Sequence, residues 1–192
     1  GRAVYYVLNP LTLGEIHGQP PSTLIQEALV GRWPAEMTHT AAVPDIAALL
    51  IRGFLPRLWA LERPEAWLRW WDGYVSTYLE RDLRQVAQID ALADFRRVME
   101  LLALRSGQLI NQSDLGRDAQ ISQSTAHRYL NLLEATHLFE RLPAYTASHT
   151  TRLLKAPKAF WLDPGLAVFL AGYFDITALT ASREFGSYFE TM

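Results

Sequence analysis

Four side chains that can hydrogen-bond nucleic acid recur at helical spacing in the second half of the chain. Ser124, His127, Arg128 and Asn131 stand at i, i+3, i+4 and i+7, positions that share one side of an α-helix. Hydroxyl, imidazole, guanidinium and carboxamide groups pair with base edges in the major groove or with phosphate oxygens. Just upstream, Ser122 has the type and place of an N-cap for a helix over 123–135. Downstream, Arg152, Lys155 and Lys158 add positive charge suited to a phosphate backbone. The candidate DNA-binding set is therefore Ser122, Ser124, His127, Arg128, Asn131, Arg152, Lys155 and Lys158. Its chemistry is recognition.

The neighbouring sequence supplies elements to position these groups. Asn111 or Ser113 can cap a short helix over 115–119, the turn Gln120-Ile121-Ser122 follows, and the helix over 123–135 buries Ala126, Tyr129, Leu130 and Leu133. This reads as a helix-turn-helix. Strand-like runs at 138–142 and 159–162, joined by a polar segment containing His149, read as the hairpin of a winged helix. Ahead of them, Asp90 can cap a helix over 91–105 with Phe95, Val98, Met99 and Leu102 inside, ended by Gly107.

The first half is predicted to open with a strand over 3–8 and a short segment over 11–16. Helices follow over 23–29 and 45–52, the first capped by Ser22 and the second opened by Pro44-Asp45. Pro64 starts the longest helix, running to about Ile89, with Trp67, Trp71, Tyr74, Val75, Tyr78, Leu79, Leu83 and Val86 on one wide apolar face. After the hairpin come a turn at Asp163-Pro164-Gly165, a short helix over 166–170, a break at Gly172 and a mixed tail.

Charge bears on the recognition reading. Between 105 and 158 seven Lys and Arg face four acids, an excess of three, within a chain whose net charge is −2. Attraction to nucleic acid must come from this stretch rather than from the whole chain. At 192 residues and 49% hydrophobic, the chain is long enough for one or two cores and too apolar to be disordered. It has no run long enough to span a bilayer and no basic-then-apolar leader. The absence of cysteine removes disulfides and thiolate metal sites and fits a reducing compartment, so a cytoplasmic location is expected.

Signals for catalysis are sparse. The sequence holds no G-x-x-x-x-G-K-[ST] phosphate cradle, no G-x-S-x-G elbow and no H-E-x-x-H pair. Glu134-Ala135-Thr136-His137 matches half of a di-iron motif without a second copy. Glu80-Arg81-Asp82 is the densest charge cluster, read as a solvated stripe or as an arginine reaching a nucleotide on a neighbouring domain. No catalytic, cofactor or metal residue is assigned here.

Several blocks in order resemble the prokaryotic AAA-type ATPases whose C-terminal region is a domain of unknown function. They are Gly1-Arg2, the run from Leu8 to Ile16, Gly53-Phe54-Leu55-Pro56, the run from Tyr74 to Leu83, and Ile121 to Thr125. Arg152 to Lys158 and Asp163 to Leu166 complete the set. The sequence departs from that pattern at Phe54 and Pro164. The resemblance implies a fragment, cut at both ends. The end of the ATPase core and its helical lid would occupy 1–90, a winged helix 91–172, and the start of a nuclease-like domain 173–192. The implied fold class is mainly α, a lid-type helical bundle followed by a winged helix-turn-helix with a small β-hairpin. ATP and Mg are expected for the full-length protein and not for this stretch. Expected partners are double-stranded DNA, the protein's own ATPase core and C-terminal domain, and further copies of itself, with no membrane. The alternative function is a winged helix that docks protein or drives oligomerisation without touching nucleic acid.

Overall fold

Apolar residues three and four apart fix most of the chain as helix, and polar residues at the boundaries close the free ends. The computed structural model describes Val4 and residues 6–19, 23–32, 45–82, 89, 91–146, 150 and 155–192. Among these residues the helices before Ile89 are α1 (Leu13–Ile16), α2 (Leu24–Leu29), α3 (Ile46–Arg52), α4 (Pro56–Trp59) and α5 (Pro64–Tyr74), which runs on in wider π-type turns over Val75–Asp82. Then come α6 (Leu92–Leu104), strand β1 (Gln108–Leu109), α7 (Gln112–Asp118), α8 (Gln123–Ala135), β2 (Phe139–Leu142) and β3 (Lys158–Trp161). The last helices are α9 (Pro164–Leu170), α10 (Ile176–Ala181) and α11 (Phe185–Thr191). The architecture is mainly helical with one small antiparallel sheet of order β1-β3-β2. Among the described residues no helix is long and apolar enough to cross a membrane.

Capping agrees with the sequence at several starts. Thr12 and Glu15 form a reciprocal capping box on α1. Asp45 accepts from the Ala48 amide, Asn111 from Ser113 and Asp114, and Ser122 from Thr125. Asn111, not Ser113, closes α7, which therefore starts and ends slightly ahead of the expected span. The proposed caps Ser22 and Asp90 lie outside the described residues, as do Leu83 and Val86.

Other expectations are corrected. Among the described residues Val4 and Tyr6 to Leu8 pair with no strand, and they are largely exposed; Ala3 and Tyr5 of the expected strand lie outside the described residues. Regular α geometry in the long helix stops at Tyr74. There Ser76 Oγ donates to the carbonyls of Asp72 and Gly73, and Thr77 Oγ1 donates to Gly73, competing with the backbone ladder. The wide turns have a packing use. Trp67, Trp71, Val75 and Leu79, all buried, are spaced by four, a spacing that drifts by about 40° per step at 3.6 residues per turn. More residues per turn after Tyr74 keep this stripe on one line. Tyr74 is only half-buried and Tyr78 is exposed, so these two leave the inner face and stack with Trp70 as an outer ladder at centroid spacings of 5.2 and 5.3 Å. Strand β1 was not expected, and the mixed tail is two short helices.

One core runs through the described residues. Leu50, Leu58, Trp71 and Leu79 from the first half join Phe95, Met99, Leu102, Leu115, Tyr129 and Leu130, together with Trp161, Val168, Leu179 and Tyr188. At its centre two turns far apart in sequence touch. Asp163, 4% exposed, accepts from the amides of Phe54 (2.9 Å) and Gly165 (2.8 Å). Trp71 Nε1 donates to the carbonyls of Ile51 and Arg52, and Trp59 Nε1 to Gly53. Gly53 has φ +80°, and a Cβ there would lie 2.5 Å from Asp163 Oδ1, while a Cβ on Gly165 would lie 2.6 Å from the Gly53 Cα. Beside this joint the Arg52 guanidinium lies over the Trp59 and Trp67 rings, at 4.0 and 5.1 Å from their centroids. It donates to the carbonyls of Leu58, Trp59 and Leu61.

Candidate nucleic-acid interface

Helix α8 buries Ala126, Tyr129, Leu130 and Leu133, and this turns Ser124, His127, Arg128 and Asn131 outward. All four are exposed. A tight turn through Gln120, at φ 58°, aims α8 away from α7. Ser122 Oγ accepts from the Thr125 amide at 3.1 Å and lies 2.8 Å from both Ser124 Oγ and Thr125 Oγ1. Its oxygen is engaged as the helix cap. Arg128 projects into solvent with its guanidinium 5.3 Å from the Tyr129 ring centroid.

A side-chain network ties the outward face to the sheet. Glu134 takes Arg141 of β2 in a bidentate ion pair, with Arg141 Nε to Glu134 Oε1 at 2.8 Å and Nη2 to Oε2. Arg141 Nη2 also donates to Asn131 Oδ1 at 2.8 Å, and Asn131 Nδ2 lies 3.0 Å from His127 Nε2. The Arg141 side-chain hydrogen bond, and the charge behind it, hold the Glu134 carboxyl below its ordinary range. From the sequence, Glu134 is a charge and half of a di-iron motif and Arg141 a charge in a strand-like run; nothing there links the two. Their link is visible once β2 folds back on α8.

The other predicted residues do not all gather here. Successive strand residues face opposite sides, and Arg141, opposite Ala159, reaches α8. Lys158, one residue along, takes the other face and pairs with Glu190 of α11. Lys155 is exposed at the approach to β3. Arg152 and His149 lie outside the described residues. Two further cations of the basic stretch are engaged with acids. Arg105 pairs with Asp118, and Arg117 with Asp114 at 2.8 Å and Asp118 at 3.5 Å. With Arg141 and Lys158, four of the six described cations between 105 and 158 therefore have a carboxylate partner.

Among the described residues no group of three or more His, Asp and Glu could hold a metal ion. Glu134 of the half di-iron motif is occupied by Arg141, and His137 sits exposed in a turn at φ 53°. A cleft of about 710 Å³ lies elsewhere, between Asn9 to Glu15 and Phe54, Pro164 and Met192. It is walled mainly by apolar groups and holds none of the candidate residues. Arg81 of the charge cluster is exposed on the π-type turns.

Residues 43–177 match the family described as "Domain of unknown function (DUF8612)". The chain is similar to two curated relatives, the uncharacterised proteins Mb2031c of Mycobacterium bovis (strain ATCC BAA-935 / AF2122/97) and Rv2008c of Mycobacterium tuberculosis (strain ATCC 25618 / H37Rv). Each is 33% identical over 172 residues, covering 87% of this chain and 39% of the relative. The chain thus spans well under half the length of these proteins. No solved structure matches it.

Proposed function

This chain belongs to the DUF8612 family, and we propose that it is a non-catalytic part of an AAA-type ATPase whose residues 91–172 form a winged helix that contacts duplex DNA through α8. The observation that carries the reading is the exposed polar face of Ser124, His127 and Arg128, on a helix reached by a tight turn and backed by a three-stranded antiparallel sheet. The element order α6-β1-α7-α8-β2-β3 is the one a winged helix uses, with α8 as the groove-facing helix. ATP and Mg²⁺ belong to the longer protein in this reading. The sequence offers no cradle for phosphates, so no step is assigned to either here. An ATPase core, a C-terminal domain and further copies of the protein are its proposed partners.

Fluorescence anisotropy on random duplexes across a salt series tests the proposal. Arg128→Ala is expected to cost about 1–3 kcal/mol and relax sequence preference. Lys155→Ala should weaken all duplexes alike and lower the salt slope by about one. Equal affinities for wild type and both variants would remove α8 from DNA binding.

One observation favours a second reading. With four of the six described cations already paired, few of them are left for phosphates, while Leu109 and Leu142 stand 67% and 52% exposed on either side of Lys158 across the sheet. A protein-docking wing would use these apolar groups, and its binding would change little with salt.

A further inference from the structure

The network on α8 fixes more than the position of its members. A guanidinium has only donors, so the atom of Asn131 that meets Arg141 Nη2 at 2.8 Å must be the carboxamide oxygen. The nitrogen end, Nδ2, is then the donor toward His127 at 3.0 Å. His127 Nε2 must accept, so the ring hydrogen sits on Nδ1. Glu134 grips Arg141 from both Nε and Nη2, and this fixes the direction of the whole chain of bonds. Arg128, the next residue along the helix, is a donor at every nitrogen.

We propose that His127 reads DNA as a donor through Nδ1–H, that Asn131 and Arg141 are positioning residues setting its tautomer, and that the edge this face takes is guanine. Guanine is the base whose major-groove edge carries two acceptors, O6 and N7, and no donor. The donors of His127 and Arg128 match that edge and meet no acceptor on cytosine N4. The proposal rests on the reading of α8 as the DNA-facing helix. It adds which base that helix prefers and which residues, themselves off the DNA, determine the preference.

Two measurements on the full chain test it. The ¹⁵N shifts of the His127 imidazole should report Nδ1–H in the wild type. Asn131→Asp replaces the donor with an acceptor, and should move the hydrogen to Nε2. A wild-type ring protonated on Nε2 alone overturns the proposal whatever the DNA result. Selection from a randomised duplex pool should enrich guanine with the wild type, and His127→Ala and Asn131→Asp should each reduce that enrichment by about fivefold or more. Both substitutions are at exposed positions, and thermal melts verify that the fold is kept. Binding that persists with unchanged base preference in both variants overturns the proposal and leaves DNA contact standing. Failure of the wild type to bind any duplex at low salt overturns the DNA reading and the guanine preference together.

Discussion

At the Gly53–Asp163 joint a carboxylate lies 4% exposed among backbone amides, whereas on α8 the half-buried Glu134 faces the guanidinium of Arg141. Burial pushes the Asp163 carboxyl up to about 6, against the pull of the Phe54, Gly165, Leu55 and Leu166 amides. Burial raises the Tyr74 phenol as well, and the charges of Tyr78 and Asp163 add to that rise. Glu134 moves the other way because a cation holds it. Where desolvation wins, the carboxylate serves the backbone and the fold. Where a paired charge wins, it organises side chains at the surface.

The largest expected effect breaks the joint. Trp71→Ala removes a fully buried side chain that packs against Gly53 and Gly165, and should destabilise by about 3–5 kcal/mol; an unchanged melting temperature would refute the packing. Asp163→Ala leaves the Phe54 and Gly165 amides without an acceptor and should cost about 2–3 kcal/mol by chemical denaturation.

Acidity separates the two regions more finely. Asp163 titrates at about 6 in the folded chain and near 3.8 ordinarily, so between those values only the unfolded chain has released the proton. Stability from this group is therefore greatest below pH 3.8, falls as pH rises toward about 6, and is level above. Glu134 runs oppositely. Its contribution is full above its ordinary value of 4.5 and is lost as pH falls through the lower folded value. Denaturation series in Asp163→Asn should lack the decline between pH 4 and 6, and those in Glu134→Gln should lose part of the fall at lower pH. The smallest effect is Arg141→Ala, about 1 kcal/mol by thermal melt, because its ion pair is only partly buried.

Local chemistry was legible in the sequence and distant pairing was not. Helix α8 was readable to its ends because Ser122 and the Ala126–Leu133 stripe lie within one element. Strand β1, two residues long, exists only because Gln108 and Leu109 find Ala159 and Lys158 some fifty positions away. The π-type turns after Tyr74 hid behind an unbroken apolar pattern. Asp163 read as a turn residue, since its partner Phe54 is 109 positions distant. On the candidate surface, spacing placed Ser124, His127, Arg128 and Asn131 on one exposed face. A count of charges could not tell that Arg141 and Lys158 point to opposite sides of the sheet.

The closeness of Gly53 and Gly165 carries a message about how such chains can drift. A side chain at position 53 would collide with the Asp163 carboxylate, and one at 165 with the Gly53 backbone. Neither glycine can gain a side chain without the other element moving away, so substitutions at 53 and 165 should be rare among relatives and should come with a change at the element they face. These positions, scattered over more than half the sequence, answer to one another through a single contact.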